Sequence, residues 1–265
     1  MNTDDYKDVN KKTWNNKVAI HVASDFYNVS DFLKGKNSIP EIDLALLGDI
    51  KGKTILHLQC HFGQDTLSLA RLGAKCTGID LSDKAIEKAQ EFNEKLGLDC
   101  KFICCDIYDT PKYIDEKFDI VYTSYGTIGW FPDLDKWAKV ITHFLKPGGK
   151  FIMADFHPVL WMFDDDFKEI FYNYFNVEQI TEEESGTYAE KGAAISNHTI
   201  TWNHPTSELL NALLNNGLVL NCFNEFDYSP YNCFNQTEEF ELNKFRIKHL
   251  KNKIPMVYSL SATKK

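Results

Sequence analysis

Three carboxylates stand at positions where short apolar runs of the sequence end. Asp80 and Asp106 each follow such a run directly, and Asp155 is the last residue of another. If these runs are parallel strands, the three side chains meet at one edge of a sheet, where the ligands of such sheets bind. A carboxylate that ends the second strand, about 20 residues beyond the first loop, can accept hydrogen bonds from both hydroxyls of a ribose. The spacing therefore predicts a nucleoside site, with Asp80 at the ribose and Asp106 at an adenine amino group.

Each of these carboxylates also has a simpler interpretation. Asp80 could cap the following helix in competition with Ser82, because acidic side chains are favoured at helix N-termini. Asp106 could be an ordinary solvated acid at the end of a strand. The two interpretations differ in whether the carboxylate faces a ligand cavity or only solvent and the neighbouring helix.

The elements that position these side chains alternate in type along the sequence. From Lys53 onwards, short apolar runs alternate with amphipathic segments, which is typical of βα units around a parallel sheet. Ser82 and Asp133 are the expected N-caps of two helices, and residues 146–149 are the expected turn before the fifth strand. The predicted strands of this part are 54–58, 75–79, 101–105, 118–123 and 150–155.

Two regions depart from this alternation. Residues 1–50 are polar and aromatic with weak helical periodicity, and we interpret them as an N-terminal helical extension that forms a lid. Residues 156–205 contain ten Phe, Tyr or Trp residues, and we interpret them as an inserted cap over a substrate pocket. Regular texture resumes with a helix that Thr206 or Ser207 is expected to cap. The last predicted units are two strands, 218–226 and 256–262.

The order of these strands, turns and acids resembles the class I S-adenosylmethionine-dependent methyltransferases. The resemblance covers roughly residues 50–155 and the final helix with its two strands. In that family the first loop reads acidic-x-Gly-x-Gly-x-Gly, whereas here His57 replaces the acid and only Gly63 remains of the glycines, a string that resembles a recurring variant in bacterial methyltransferases. Gln59 and His61 must therefore approach the cofactor with side chains present. The matching segments are His57-Leu58-Gln59-Cys60-His61-Phe62-Gly63, Gly78-Ile79-Asp80, Cys105-Asp106-Ile107 and Leu145-Lys146-Pro147-Gly148-Gly149.

The resemblance implies a Rossmann-like α/β fold: a seven-stranded, mostly parallel sheet with one antiparallel strand near the carboxyl end and helices on both faces. It also implies S-adenosyl-L-methionine as the cofactor, S-adenosyl-L-homocysteine as the product and a small molecule as the methyl acceptor. Residues 51–155 and 206–265 would form the cofactor-binding domain, and Tyr27 and Trp14 would close over the cofactor. The cofactor contacts that the resemblance implies are Gln59, Gly63, Asp80, Leu81, Asp106, Ile107, Ser124 and Tyr27.

The candidate catalytic residues follow from the chemistry of methyl transfer. Transfer from a sulfonium is a one-step in-line displacement, so the enzyme mainly aligns the reactants and excludes water. A hydroxyl acceptor also benefits from a general base, for which His157 is the first candidate and Tyr125, His21 and Tyr231 are further ones. Each of these side chains could instead be packed or lie on the surface. The tryptophans expected to line an acceptor pocket, or to fill the core of the cap, are Trp130, Trp161 and Trp202.

Composition bounds the partners and the compartment. With 29 Lys and Arg against 38 Asp and Glu, the chain carries a formal charge of −9, which argues against nucleic acid or an acidic membrane surface as a partner. The sequence shows neither a signal-peptide pattern nor an apolar run of membrane-spanning length. The seven cysteines include no Cys-x-x-Cys pair, so reduced thiols and a cytoplasmic location are expected. The acidic runs 164–166 and 182–184 are interpreted as solvated faces, and no metal site is expected.

Two other classes of function stay open. A protein that binds the cofactor without catalysis, as a sensor does, would fit the altered glycines of the first loop. A nicotinamide-dependent oxidoreductase would share the ribose-binding acid, but its Gly-x-Gly-x-x-Gly turn is absent and Asp65 would repel a pyrophosphate. Asp65 is compatible instead with the cationic amino end of methionine. The sequence does not indicate the oligomeric state.

Overall fold

Seven strands form one sheet. They are β1 Thr54–His57, β2 Lys75–Asp80, β3 Lys101–Cys104, β4 Phe118–Ser124, β5 Leu145–Phe156, β8 Leu218–Phe226 and β11 Val257–Lys264. In the computed structural model, which describes residues 5–175 and 178–265, their order across the sheet is β3-β2-β1-β4-β5-β11-β8. β1 to β5 are parallel, and β11 pairs antiparallel with both β5 and β8. The predicted mostly parallel sheet with one antiparallel strand near the carboxyl end is confirmed.

Helices cover both faces of this sheet. The main ones are α4 Gln64–Arg71, α5 Asp83–Lys95, α6 Leu134–Phe144 and α7 Thr206–Asn215. Alternate strand residues belong to two separate cores, because side chains of a strand point to opposite faces in turn. Ile55 and Ile120 pack with α4 and α5, whereas Leu56 and Val121 pack with α6 and α7. Both faces of the central strands are therefore buried. A ligand can reach the sheet only where the strands end.

The helix caps agree with two of the three predictions. Ser82 and Asp133 precede α5 and α6, and the side chain of each accepts a hydrogen bond from the backbone of the first turn. The prediction of a cap at Thr206 or Ser207 was wrong. Pro205 holds the cap position of α7 with an extended backbone and no side-chain acceptor, so Thr206 is already the first helical residue.

The Lys-Pro-Gly-Gly segment at 146–149 lies inside a strand and not before it. Leu145 of β5 pairs with Phe118 and Lys150 pairs with Ile120, so the register shifts between these pairs. Gly148 has a φ of 74°, which lets the backbone bulge there. The fifth strand therefore starts at Leu145, five residues before its predicted start at Lys150.

Outside these elements, the described residues form three further α-helices and two hairpins. They are α1 Asp5–Ala23, α2 Val29–Leu33 and α3 Glu41–Leu47, with hairpins of β6 Ile180–Ser185 and β7 Ser196–Thr201, and of β9 Thr237–Glu241 and β10 Lys244–Ile247. The amide of Asn10 exchanges hydrogen bonds of 2.7 and 3.0 Å with the backbone of Ile200, which joins α1 to β7. The β9–β10 hairpin was not predicted from the sequence. Among the described residues, no helix has the length and hydropathy needed to span a membrane.

Candidate active site

A cavity of about 1460 Å³ opens at the carboxyl ends of the parallel strands. Its walls are the loops after β1 to β5 on one side and α1, the β6–β7 hairpin and the segment around Tyr231 on the other. This is the edge at which parallel sheets bind ligands. The predicted site residues that line it are Tyr27, Gln59, Gly63, Asp80, Leu81, Asp106, Ile107, Ser124 and Tyr125.

The loop after β1 has the backbone of a glycine-rich loop although it keeps a single glycine. The φ angles of Gln59, His61 and Gly63 are 54°, 49° and 79°, all in the left-handed region that glycine adopts without steric cost. These are the three positions where the resembling family carries glycine. The chain thus retains a left-handed backbone there, at a cost of about 1–2 kcal/mol for each non-glycine residue.

Gly63 is required by packing as well as by its conformation. A Cβ at this position would lie 2.8 Å from the ring of Phe102 and 2.9 Å from the Cβ of Ala89, which is closer than an ordinary van der Waals contact. Gly63 is also the cap residue that precedes α4. Its missing side chain therefore lets α4 begin directly against β3 and α5.

Asp80 joins the first loop to the start of α5. One of its carboxylate oxygens accepts a hydrogen bond from the backbone N–H of His61, the other from that of Ser82, both at 2.8 Å. Burial raises the pKa of Asp80 to about 6, and these hydrogen bonds act against that rise. Each carboxylate oxygen has a second lone pair, and the residue lines the cavity. Asp80 therefore does what both interpretations predicted: it accepts a hydrogen bond at the start of α5, and it also lines the cavity where a ribose could bind.

Asp106 begins the next loop. It accepts a hydrogen bond from the backbone N–H of Tyr108 at 3.0 Å and thereby caps the 3₁₀ helix Ile107–Lys112. Its carboxylate also forms an ion pair of 3.1 Å with Lys7 of α1. Ile107 is buried and lines the cavity beside it. This end of the cavity thus offers one acceptor and one flat apolar contact.

Asp155 fixes the loop after β4. Its carboxylate accepts hydrogen bonds from the backbone N–H groups of Gly126, Thr127 and Phe156 and from the Thr127 hydroxyl. The side-chain amide of Gln59 donates to the carbonyl of Thr127 at 2.8 Å, which ties the first loop to this one. The Oε1 atom of Gln59 is buried and has no hydrogen-bond partner within residues 5–175 and 178–265. A buried acceptor of this kind is typical of a site that a donor group of a ligand completes.

Asp65 places another carboxylate between these two loops. It lies in the first turn of α4 and lines the cavity. Its Oδ1 accepts a hydrogen bond from the hydroxyl of Ser38 at 2.6 Å, and the side chain of Ser124 is a further partner. Burial raises the pKa of Asp65 to about 6. A cationic group is the ligand chemistry that such a carboxylate would stabilise.

Two histidines connect α1 to the first loop. His21 Nδ1 and His61 Nε2 lie 3.0 Å apart, and one of the two rings donates to the other. Burial lowers the pKa of His21 to about 3 and that of His61 well below its usual value, so both rings are neutral at pH 7. Tyr27 stacks on His21, packs against Phe62 and forms a hydroxyl–hydroxyl hydrogen bond with Tyr188 of the β6–β7 loop. The structure thus places Tyr27 over the first loop and His21 in the contact that holds α1 there.

His157 does not meet the other predicted site residues. Its Nδ1 accepts from the backbone N–H of Val159 at 3.2 Å, and its Nε2 lies 3.0 Å from a carboxylate oxygen of Glu225 on β8. The side chain is buried outside the cavity. Burial lowers the pKa of His157, and the neighbouring carboxylate acts in the opposite direction.

Tyr125 lines the cavity, and its hydroxyl contacts a buried carboxylate, Asp43, that was not predicted from the sequence. The Tyr125 hydroxyl donates to Asp43 Oδ2 at 3.0 Å, and the Tyr122 hydroxyl donates to Asp43 Oδ1 at 2.8 Å. Asp43 is fully buried on α3, and burial raises its pKa to about 7. The signal in the sequence is a lone interior acid in the apolar run 42–47.

The cavity wall carries more acids than bases. Among the described residues, nine carboxylates and four lysines line it. One of these lysines, Lys17, is buried, forms a 2.8 Å ion pair with Glu184 and lies over the rings of Trp14 and Trp130. The net negative wall favours neutral or cationic ligands. Lining the cavity as well are the predicted tryptophans Trp130, Trp161 and Trp202.

Comparisons with known proteins place this site in a family. A family model described as "Methyltransferase domain" matches residues 49–212. The chain is 36% identical over 102 residues to the sterol 4-C-methyltransferase of Caenorhabditis elegans, covering 38% of this chain and 30% of that protein. It is 29% identical over 136 residues to the ubiquinone biosynthesis O-methyltransferase of Coxiella burnetii, covering 50% and 57%. The structure of geranyl diphosphate C-methyltransferase from Streptomyces coelicolor, in complex with Mg²⁺, geranyl diphosphate and S-adenosyl-L-homocysteine, matches with a TM-score of 0.62 at 15% identity over 98% of both chains.

The match over residues 49–212 spans more than half of the chain, so the chain belongs to the methyltransferase domain family. The sequence matches to these two curated relatives cover 30% and 57% of the length of the relative. The structural match extends over nearly the whole chain and shows the same fold. The resemblance to class I methyltransferases, and the fold it implied, are confirmed.

Proposed function

We propose that this chain is an S-adenosylmethionine-dependent methyltransferase that acts on a small-molecule acceptor. The observation that carries the proposal is the loop after β1, where Gln59, His61 and Gly63 keep the left-handed backbone of a glycine-rich cofactor loop and the His61 N–H bonds Asp80 at the end of β2. Strained backbone of this kind persists where its surroundings hold it, as at ligand sites. Membership of the methyltransferase domain family supports the same function.

We propose a place for each part of the cofactor from the order of the strands. The adenine would lie at the end of β3 beside Asp106 and Ile107, and the ribose at the end of β2 beside Asp80 and Leu81. Tyr27 and Trp14 would close over the cofactor from the N-terminal extension. The residues proposed for the methionine part, over β1 and β4, are Gln59, Gly63, Asp65 and Ser124.

The groups that line the cavity fit this cofactor. The Asp65 carboxylate would pair with the ammonium group of the methionine part, and the unpartnered Oε1 of Gln59 would accept from a nearby N–H. Bound S-adenosylmethionine would supply a methyl group on a positively charged sulfur, which the net negative wall stabilises. The residues of this chain would align the acceptor and exclude water.

We propose that residues 5–50 are a lid and that residues 156–175 and 178–205 are a cap over a cofactor-binding domain of residues 51–155 and 206–265. Residues 1–4, 176 and 177 of the predicted lid and cap lie outside the described residues. Two contacts support this assignment. Asn10 of the lid pairs with the backbone of Ile200, and the Tyr27 hydroxyl bonds that of Tyr188. Both contacts link the two segments beside the cavity.

The acceptor is proposed to be neutral or cationic and partly apolar. The cavity exceeds the ~300–1,000 Å³ of ordinary ligand sites, which leaves room for an acceptor beside the cofactor. The matched relatives are named as a sterol methyltransferase and an enzyme of ubiquinone biosynthesis, which agrees with a small organic acceptor. A polyanion such as nucleic acid does not fit the acidic wall. On the pattern of cysteines alone, we propose a cytoplasmic location.

The proposal is tested by incubating the purified chain with S-adenosylmethionine that carries a tritiated methyl group and a library of phenols, amines and sterols. We expect label in at least one organic product, in step with formation of S-adenosylhomocysteine. The Asp80→Ala variant should lower both together at a fixed, subsaturating cofactor concentration. Cofactor binding without transfer to any acceptor would favour the alternative of a non-catalytic sensor.

A further inference from the structure

We propose that Tyr125 removes the proton of a phenolic acceptor, and that Asp43 holds Tyr125 in place and accepts the proton that Tyr125 gives up in this step. The proposal rests on the methyltransferase function proposed above and adds a substrate class and a proton path to it. It is carried by three features of the cavity: a tyrosine in its wall, a buried carboxylate behind that tyrosine, and a slot of aromatic rings beside it.

Asp43 is a buried acid whose partners are hydroxyl groups. Its exposed fraction is 0%, and its two oxygens accept from the hydroxyls of Tyr122 and Tyr125 at 2.8 and 3.0 Å. Within the described part of the chain, no lysine, arginine or histidine forms an ion pair with it. A buried carboxylate without a cationic partner costs stability, and such groups concentrate at functional sites.

The two tyrosines that bind Asp43 differ in what they can reach. Tyr122 is fully buried between the sheet and α3 and lies outside the cavity. Tyr125 lines the cavity and directly follows Ser124, the last residue of β4. Because the methionine part of the cofactor is proposed to lie over β1 and β4, Tyr125 stands next to the place of the reacting sulfonium. Of these two hydroxyls, that of Tyr125 is therefore the one positioned to receive a proton from an acceptor.

Aromatic rings form a slot beside Tyr125. The centroid of its ring lies 5.0 Å from that of Tyr231 and 5.5 Å from that of Phe156. Phe156 in turn lies 4.9 Å from Phe234 and 6.0 Å from Trp161. All five rings line the cavity. Three of these four contacts are edge-to-face and the fourth is tilted. A wall of aromatic rings favours a flat aromatic ligand.

The proposed step balances in atoms and charge. The acceptor oxygen forms a bond to the methyl carbon while the bond from that carbon to sulfur breaks, and the electron pair of that bond stays on sulfur. The acceptor proton moves to Tyr125 Oη as the proton of Tyr125 moves to Asp43 Oδ2. The positive charge of the sulfonium and the negative charge of Asp43 are both removed. The products are a methyl ether, S-adenosylhomocysteine and a protonated Asp43, and after product release the proton returns through Tyr125 Oη to water in the cavity.

The ionisation of Asp43 sets the pH at which this path works. Its pKa of about 7 results first from burial, and it lies near the pH at which a proton acceptor is most effective. Hydrogen bonds from Tyr122 and Tyr125 on β4 lower the pKa, and the charge of Asp65 on α4 raises it. Tyr231, which follows β8, is a further titratable group beside Tyr125. Only ionised Asp43 accepts the proton, so the rate should rise with pH through about 7.

The test uses the full chain, S-adenosylmethionine with a tritiated methyl group, and four probes: phenol, catechol, 2-naphthol and benzylamine. We expect label to reach at least one of the three phenols. Tyr125→Phe and Asp43→Asn should each lower kcat at least 100-fold, while the Kd for the cofactor, measured by calorimetry, stays within about twofold. Tyr122→Phe removes the same kind of bond to the same carboxylate outside the cavity, and we expect a loss at least tenfold smaller.

The pH profile separates the roles of the two residues. The rise of kcat through pH 7 should disappear in Asp43→Asn. A kcat of Tyr125→Phe within threefold of the parent chain, or an unchanged rise in Asp43→Asn, would overturn the proposal. So would label in benzylamine alone, or in none of the phenols while the cofactor binds. Failure of the parent chain to bind the cofactor would contradict the proposed function itself. If Asp43→Asn does not fold, Tyr125→Phe decides the proposal, since it removes one oxygen and keeps the ring.

Discussion

The two halves of the cavity are built in different ways. The half proposed for the cofactor consists of residues at the ends of strands or in the loops that follow them, namely Gln59, Gly63, Asp80 and Asp106. The half proposed for the acceptor is assembled from segments far apart in the chain, namely Asp43, Tyr125, Phe156 and Tyr231. A short local pattern therefore determines the first half, whereas tertiary contacts determine the second.

This difference decides where each half tolerates change. In the cofactor half the backbone itself is the constraint, because the left-handed loop is packed against Phe102 and Ala89 and bonded to Asp80. In the acceptor half, side-chain contacts such as the hydrogen bond from Tyr125 to Asp43 join separate segments. Substitutions should therefore act on folding and cofactor affinity in the first half, and on the fit of the cap in the second.

The largest effect is expected from Gly63→Ala. The new methyl group would meet Phe102 and Ala89 below 3.0 Å and would also require a φ of 79°. We expect it to lower the free energy of unfolding by about 2–4 kcal/mol, measured with urea. The matched control is Gly52→Ala, which has a φ of 76° but open space within 4 Å among the described residues, and should cost about 1 kcal/mol. Equal costs would show that packing at Gly63 adds nothing to the conformational strain.

Asp80→Ala should weaken cofactor binding by about 1.5–3 kcal/mol, which is tenfold or more in Kd, because two charge-assisted hydrogen bonds to the ribose are lost. Calorimetry measures the affinity directly. Asp83→Ala is the control, since Asp83 starts the same helix but binds Lys11 and Asn15 outside the cavity. Its Kd should stay within about twofold. An unchanged affinity in Asp80→Ala would remove Asp80 from the ribose site.

Cofactor affinity should depend on pH. Burial raises the pKa of Asp80 and of Asp65 to about 6, and the ionised forms are the ones proposed to bind the ribose and the ammonium group. Both are charged at pH 7.5, and both become protonated as the pH falls through 6. We therefore expect Kd to rise about tenfold or more between pH 7.5 and pH 5, with a smaller rise in Asp80→Ala. A Kd that stays constant over this range would contradict the ionised state of both carboxylates.

The smallest effect is expected where lid and cap meet. Tyr27→Phe and Tyr188→Phe should each lower the free energy of unfolding by about 0.5–1.5 kcal/mol, because each leaves the other hydroxyl without its partner. The double variant should cost less than the sum of the two single ones, which is the sign of a direct interaction. Strict additivity in urea unfolding would show that this contact does not join the two segments.

Most of the cofactor half could be predicted from the sequence. Alternating apolar runs determine where the parallel strands end, and side chains at those ends share one edge, so the spacing alone could place Asp80, Asp106 and Asp155 together. The left-handed angles of Gln59 and His61 could not be derived from the residues themselves, since neither residue type favours them. That loop was recognisable only through the family pattern.

From the sequence, Tyr125 and Tyr231 of the acceptor half could be named as candidates, but their contacts could not be predicted because distant residues determine them. His157 follows β5 as expected, but Glu225 of β8 lies beside it and holds it away from the cavity. Asp43 belongs to a short helix, and the function proposed for it depends on Tyr122 and Tyr125, about 80 residues later in the chain. The spacing of residues along the sequence does not predict such contacts.

The central claim is tested most directly by calorimetric titration of the purified chain with S-adenosylmethionine, S-adenosylhomocysteine and NADH in parallel. Micromolar binding of the first two, without binding of NADH, is the predicted result and would establish the cofactor. Binding of NADH alone, or of none of the three, would contradict the account, since Asp80 and the left-handed loop would then serve another ligand or none.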